Sequence, residues 1–537
     1  IWAYRAALSY ATGTHAFKVG FNRTHGFLEE YQYSMNPVSY RFQTAGGVTT
    51  PNQITMQNRP YTAISNMDND LGIFAQDRWT MDRITLNLAL RFDVFQTSFP
   101  EQTVGPAPLV PNRNITFPET ENLNWKDVSY RTGLVYDLTG NGKTALKVAF
   151  NKYLLGQTLN GIGRNPNPVL AMTQSVNRSW SDGNRDFVPQ CDLLNPLQNG
   201  FGSDTCGTIS DLSFGSVRPV DLYDKDLTTG WGHRPANWEF SVGVQREIIP
   251  RVALDAGYFR RIWKNFQVTD NLLTGPEDFT QFSLTVPTDP NLSTSGQTLT
   301  GLYNVIPTKF GQVQNLNTLS DKYGKQIDHW NGFDVSINAR LQNGLTLQGG
   351  VGTGKQIEDN CEIVAALPEM LNLTGANAAN TANAPAQWRP AQFCHREEPM
   401  LTGFKALAIY IIPKIDVQVS GSFRSTPGTS LSVGYTATNQ ILTSSSTLGR
   451  PLSGTEANMV IGIEKPNEAY TERRNELDMR IGKVLRFSKT RTVVSVDLYN
   501  AFNANPMIVQ NQAYASYLRP SEILNARLIK FSWAFDF

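Results

Sequence analysis

Four cysteines, five histidines and one short acidic run are the residues of this 537-residue sequence whose types could do chemistry. The thiols of Cys191, Cys206, Cys361 and Cys394 could pair or could hold a metal. A metal centre would draw on Cys361, Cys394 and the adjacent His395, but there is no Cys-x-x-Cys spacing to support it. In "SDGNRD" (Ser181–Asp186), Asp182, Asn184 and Asp186 stand at i, i+2 and i+4, the opening of an oxygen-ligand calcium loop. That pattern also needs Gly at its sixth place and Glu at its twelfth, where this chain has Phe187 and Leu193. An ordinary polar turn is the stronger reading. "NMDND" (Asn66–Asp70) is a weaker candidate of the same kind. No Gly-x-Ser-x-Gly elbow and no phosphate-binding Gly-rich loop occurs, so no catalytic or cofactor-binding residue is expected.

What must position these residues is unusual in texture. Lys and Arg total 47 against 46 Asp and Glu, a net charge of +1, which gives no basic stripe for nucleic acid. No apolar run reaches about 18 residues, so no membrane-spanning helix is expected. A chain of this length would ordinarily show several domains and their linkers, and neither is visible. The sequence opens at Ile1, without Met or signal peptide, on what already reads as a strand, which points to a fragment.

Strict alternation of apolar and polar residues recurs from end to end. Ile84, Leu86, Leu88, Leu90 and Phe92 alternate with Thr85, Asn87, Ala89, Arg91 and Asp93. Phe333, Val335 and Ile337 alternate with Asp334, Ser336 and Asn338; Ile415, Val417 and Val419 with Asp416, Gln418 and Ser420. Phe531, Trp533, Phe535 and Phe537 close the chain in the same way. About fifteen such segments are present, each near the ten residues that a tilted strand needs to cross a bilayer.

The connections say which solvent each face meets. Short turns, such as Gly13-Thr14, Met81-Asp82-Arg83, Ile249-Pro250-Arg251, Gln342-Asn343-Gly344 and Ser488-Lys489-Thr490, alternate with long polar stretches. The long ones fall near 25–70, 96–126, 153–236, 263–331, 355–399, 426–474 and 504–523. An antiparallel meander with this asymmetry puts every tight turn at one end, as in outer-membrane barrels with short periplasmic turns and long extracellular loops. Loops of that length are uncommon in compact soluble domains. The apolar face then meets lipid. The polar face, with Asp334, Asn338, Arg340, Asp416, Gln418, Arg424, Asp478, Arg480 and Asp497, lines a lumen, because a dry core would not tolerate it unpaired.

The expected fold is therefore an all-β transmembrane antiparallel barrel with long extracellular loops. If the last strand ends on the periplasmic side, the first runs inward from outside, so an odd number of strands precedes Ile1. One more strand gives sixteen, a porin size; seven give twenty-two, a plugged-transporter size. All four cysteines fall in extracellular loops, Cys191 with Cys206 and Cys361 with Cys394, which favours pairing within each loop although three pairings are possible. Tyr31, Tyr33, Tyr40, Trp180, Trp231 and Trp330 are placed in the long loops, where they pack loops together, sit in the interfacial girdle or meet a ligand.

Several blocks resemble a known family. "LGIFAQDRWTMDRITLNLALRFD" (Leu71–Asp93) looks like the strand–turn–strand block of TonB-dependent outer-membrane receptors. "NWEFSVGVQREIIPRVALDAGYFRR" (Asn237–Arg261) is similar to a hairpin of that family's Oar-like branch. "VDLYNAFNANP" (Val496–Pro506) and "ILNARLIKFSWAFDF" (Ile523–Phe537) are similar to its last two strands. The resemblance implies a 22-stranded barrel of which residues 1–537 are the C-terminal part, the N-terminal plug and first strands lying outside this chain. It implies transport of a large or scarce solute, driven by the TonB complex acting on the missing N-terminal region. It further implies that barrel-assembly machinery reads the final strand through Phe531, Trp533, Phe535 and Phe537. Outer-membrane lipid is the remaining partner, and no cofactor is called for. A passive porin-like channel and a structural or adhesive scaffold binding a partner protein through its loops are the alternatives.

Overall fold

A computed structural model describes residues 1–341, 344–371, 387–454, 456–487 and 490–536. One sheet holds seventeen strands among these residues; two of them, Thr229–Trp231 and His395–Glu397, are three-residue pieces, which leaves fifteen long ones. They are β1 (Trp2–Thr12), β2 (His15–Gln32), β3 (Tyr61–Met81), β4 (Ile84–Phe99), β5 (Thr120–Asp137), β6 (Thr144–Leu154), β7 (Ala236–Ile249) and β8 (Val252–Lys264). The wall continues with β9 (Ile327–Arg340), β10 (Leu345–Asp359), β11 (Leu401–Ile412), β12 (Val417–Thr426), β13 (Arg474–Phe487), β14 (Thr490–Tyr499) and β15 (Leu528–Asp536). Each pairs antiparallel with the next in sequence, a pure meander. No helix among the described residues is long and apolar enough to cross a membrane.

Register carries the alternation from strand to strand. Val335 faces Ala256 on one side and Val351 on the other, and Val496 sits between Ile481 and Phe531. These apolar columns lie bare on the outer face: Phe531 is 79% and Trp533 76% exposed. The opposite face reads Lys405–Arg424–Glu476 and Arg480–Asp497–Lys530 across neighbouring strands. A sheet with its large apolar side chains outside and its charges inside suits hydrocarbon without and water within. Phe537 and the turn residues at 342–343 and 488–489 lie outside the described residues.

The strands differ from the sequence expectation at their outer ends. β2 and β3 run 18 and 21 residues, so the loop expected over 25–70 shrinks to 33–60, and that over 96–126 to 100–119. Register shifts at Thr24/Gly26, Met67/Asn69 and Gln96/Ser98 mark where these strands pass from the spanning segment into an extracellular extension. "NMDND" and Tyr31 therefore lie in strands, not in a loop. Ile415 and Asp416 fall in the turn before β12 rather than on its two faces; Lys414 and Asp416 both take positive φ there. Trp330 belongs to β9, not to a loop. Its indole covers Gly332 and Gly354, where an added Cβ would stand 2.2 and 2.3 Å from the ring. Only glycine lets that aromatic lie flat on the lumenal wall.

The outer segments are not loose. Residues from 265–326, 360–400 and 427–473 share one core of Leu284, Leu299, Val433, Ile461 and Ile463, with Tyr514 and Tyr517 of 500–527 packed against it. A second core joins 33–60 to 155–235 through Ile54, Met56, Val176, Trp180, Cys206 and Ile209. Two folded extracellular lobes thus stand on the wall.

Candidate functional site: the lumenal wall and its extracellular lobes

The lumenal face is built from the polar half of each strand's alternation, and two recesses in it concentrate chemistry. The first, ≈ 540 Å³, lies over β6 to β9 and is lined by Asn151, Glu239, Phe259, Arg261, Trp263 and Trp330. Arg261 pairs with Glu239 and stands 5.7 Å from the Trp263 ring, and next to it Arg131 lies 4.1 Å from the Tyr153 ring. Aromatic faces and guanidinium groups together fit a ring-bearing or anionic solute.

The second recess, ≈ 740 Å³, lies over β9 to β13. Gly350, Gly352 and Gly403 form a low floor, and Asp334, Lys405, Arg424, Glu476 and Asp478 stand around it. Such a surface of mixed charge with little bulk can seat a solute or a polar protein surface. Nearby, Arg480 reaches Asp497 twice, with Nη2···Oδ2 at 3.2 Å, and Ser532 Oγ donates to the same carboxylate at 3.1 Å. Arg480 is therefore held as a strut. Asn338 and Arg340 share this inner face through their register with β8 and β10.

In the lobes, Cys191 is bonded to Cys206 and Cys361 to Cys394. His395 does not join them as a ligand; its Nδ1 lies 2.9 Å from Asp359 Oδ2. The Asp182 run is spent on its own backbone. Asp182 accepts from the amides of Arg185 and Phe187, Asn184 from Asp186 and Asp186 from Val188, while Arg185 and Phe187 take positive φ. These bonds shape a tight polar turn.

Trp180 is a core residue: it donates from Nε1 to Asp204 at 3.0 Å and packs 5.2 Å from Tyr40. Burial pushes the Asp204 carboxyl up, but hydrogen bonds from Trp180, Gln190 and Gly183 outweigh it and hold the acid below its ordinary range. Tyr31 stacks on Tyr33, both exposed, and Trp231 lies 5.6 Å from Phe92 at the outer rim. The wall recess containing Trp330 and Arg261 is the feature that reading the sequence missed. Its signal was present: Phe259, Arg261 and Trp263 occupy the face of β8 where the alternation called for small or polar residues.

The lobes are tied together by backbone and charge. Asp221–Tyr223 runs parallel to Asn315–Leu319, which pairs antiparallel with Gln267–Asn271. Beside this small sheet, Asp224 accepts from Thr318 Oγ1 at 2.7 Å and from Lys322 Nζ at 2.5 Å. The Lys322 ammonium, with Thr318 and the Asp226 amide, brings the Asp224 carboxyl down to about 2.

Residues 1–407 match the model of the outer membrane beta barrel domain, so the chain belongs to that family. Its place is the bacterial outer membrane, which it spans with strands. No curated protein matches the chain. Among solved structures it is similar to the outer membrane transporter YddB from Escherichia coli, at 10% identity and TM-score 0.46 over 99% of this chain and 53% of that one. It is also similar to the ferric-catecholate import receptor Fiu from E. coli K12, at 10% identity and TM-score 0.42 over 99% and 63%. A third is the ferric yersiniabactin uptake receptor FyuA from Yersinia pestis, at 10% identity and TM-score 0.38 over 100% and 57%. The chain spans a little over half of the length of these neighbours, and less than two-thirds in each case.

Proposed function

We propose that the chain is the C-terminal part of the barrel of a TonB-dependent transporter that moves a large or scarce solute across the outer membrane. One observation carries the reading: the fifteen-strand wall turns columns of charge such as Lys405–Arg424–Glu476 inward and columns of large apolar side chains such as Phe531 and Trp533 outward. Seven further strands, as the family resemblance implies, would make twenty-two, and a barrel of that size encloses a lumen wide enough to need a plug. The plug and the segment that engages TonB lie outside this chain. In this reading the charged recess over β9 to β13 seats the plug, and the aromatic–arginine recess over β6 to β9 meets the solute on its way in. The energy comes from the inner membrane, because the outer membrane has no nucleotide supply of its own.

The test is single-channel conductance of the full-length protein from outer membrane, alongside uptake in cells with and without TonB. A closed pore at rest with TonB-dependent uptake is the expected result. Steady conductance without any energy source would establish a passive channel instead. A second reading, a scaffold that binds a partner protein, has its own support in the two folded lobes. It predicts retained partner binding and unchanged solute flux when TonB is deleted.

A further inference from the structure

Among the described residues, the lipid-facing surface carries an ionisable pair, His15 with Asp77, that neither the lumen nor the lobes explain. On the outer face of β3, Ile73, Ala75, Asp77 and Trp79 follow one another, so a carboxylate interrupts an apolar column. Across the ladder Phe17 faces Asp77 and His15 faces Trp79 on β2, while Leu88 and Leu86 face Asp77 and Trp79 on β4. His15 Nδ1 lies 2.7 Å from Asp77 Oδ2. The imidazole is stacked beside the ring of Phe17, at 5.2 Å and 3°, and beside that of Trp79, at 5.1 Å and 17°. Thr12 stands opposite it on β1.

Height along the wall gives the pair its meaning. His15 is the first residue of β2, directly after the turn at 13–14. On the same outer face Tyr10, Trp79, Tyr136 and Tyr410 each come within about three residues of a short turn, the level of an interfacial aromatic girdle. That is the level of lipid headgroups in the periplasmic leaflet. At that level an ionisable pair on the lipid face costs little and stands within reach of a headgroup.

We propose that His15, held by Asp77, is a binding site for the phosphate of a periplasmic-leaflet phospholipid. With Nδ1 committed to the carboxylate, Nε2 is the nitrogen left for a ligand. A histidine oriented by an acid behind it is a directed donor, as in metal and catalytic sites. The stacked rings of Phe17 and Trp79 hold the imidazole plane, and Thr12 adds a hydroxyl on the same face. The ligand chemistry is a phosphate mono-anion carrying acyl chains that run along Phe17, Val19 and Leu88.

The experiment compares full-length protein with His15→Phe and Asp77→Asn after delipidation in detergent, counting retained phospholipid by native mass spectrometry. His15→Gln serves if His15→Phe does not migrate as a folded, heat-modifiable barrel. Retention should fall roughly tenfold in the His15 variants, the loss of one charge-assisted hydrogen bond, and less in Asp77→Asn. Short-chain phosphatidylglycerol should restore occupancy in the wild type, whereas inorganic phosphate and diacylglycerol should not. Equal retention in all variants would overturn the proposal. Binding of diacylglycerol as well as of phospholipid would overturn it too, since acyl chains alone would then be recognised. Competition by inorganic phosphate at equal strength would overturn the lipid assignment in favour of a simple anion site.

Discussion

The wall and the lobes use the same apolar side chains in opposite ways. Phe531, Trp533 and Leu8 lie open on the wall, while Leu299, Val433, Ile461 and Ile463 are wholly buried in the larger lobe. Hydrocarbon solvent removes any reason to hide the first group, and water on the extracellular side compels hiding the second. The wall is therefore held by its hydrogen-bonded ladder and by the surrounding lipid, with little apolar core of its own. The lobes are small water-soluble bodies held by ordinary cores and two disulfides. A single chain meets two solvents, and each substitution should reveal which one its residue faces.

The largest effect is expected in the lobe core. Leu299→Ala or Ile461→Ala empties a fully buried site and should cost about 2–5 kcal/mol of lobe stability. Hydrogen exchange should rise across 279–305 and 434–462, with the barrel still migrating as a folded species on unheated gels. If the wall unfolded together with the lobe, the two would be one cooperative body and the contrast would fail. Next comes the wall's own weakness. Val335→Arg puts a charge on the lipid face and should cost roughly 2–4 kcal/mol if that site lies near the midplane. The same change at an exposed lobe residue such as Leu212 should cost almost nothing, and similar losses at both sites would contradict a lipid-facing Val335.

How much of this was legible follows the same division. The wall was readable because each strand declares itself locally, with period two and a short turn: β4 and β8 were visible from their own residues. Fifteen strands were expected and fifteen long strands are found. The strand extensions past Gly26 and Met67 were missed because the alternation there loses its apolar partner once the strand leaves the membrane. Trp330 reads as a loop residue because its neighbours Asp328, His329 and Asn331 are polar; it points to its own role only through Gly332 and Gly354 on the adjoining positions. The lobe cores could not be read at all. Leu284 and Ile461 share one core from distant loops, and nothing in either segment's local pattern names the other.

Between core and surface stands the Cys191–Cys206 bond, which closes a 15-residue span. Reduction, or Cys191→Ser with Cys206→Ser, should lower the stability of the smaller lobe by up to about 3 kcal/mol through the freed chain entropy. Limited proteolysis near 183–204 should accelerate severalfold, and the wall should be indifferent. A wall that became protease-sensitive in the same experiment would mean that the smaller lobe braces the barrel.

The smallest effect is electrostatic and sharpens the link between lobes. Asp224 is held at about 2 in the folded state against an ordinary 3.8, chiefly by the Lys322 ammonium. A depressed acid contributes stability above its unfolded value and loses it as pH falls through its folded value. The contact between 221–228 and 315–322 should therefore stay intact at neutral pH and weaken from about 3.8 down to about 2. The Lys322 side chain is 39% exposed, so water and salt screen the pair, and the change should be modest and smaller still at high ionic strength. In Asp224→Asn the hydrogen bond from Thr318 can persist without the charge. Exchange of the 221–228 amides should then be raised at pH 7 and flat toward acid. If wild type and variant gave the same acid profile, the two lobes would be joined by the Asp221–Tyr223 and Asn315–Leu319 backbone pairing alone, with Lys322 a bystander in solvent.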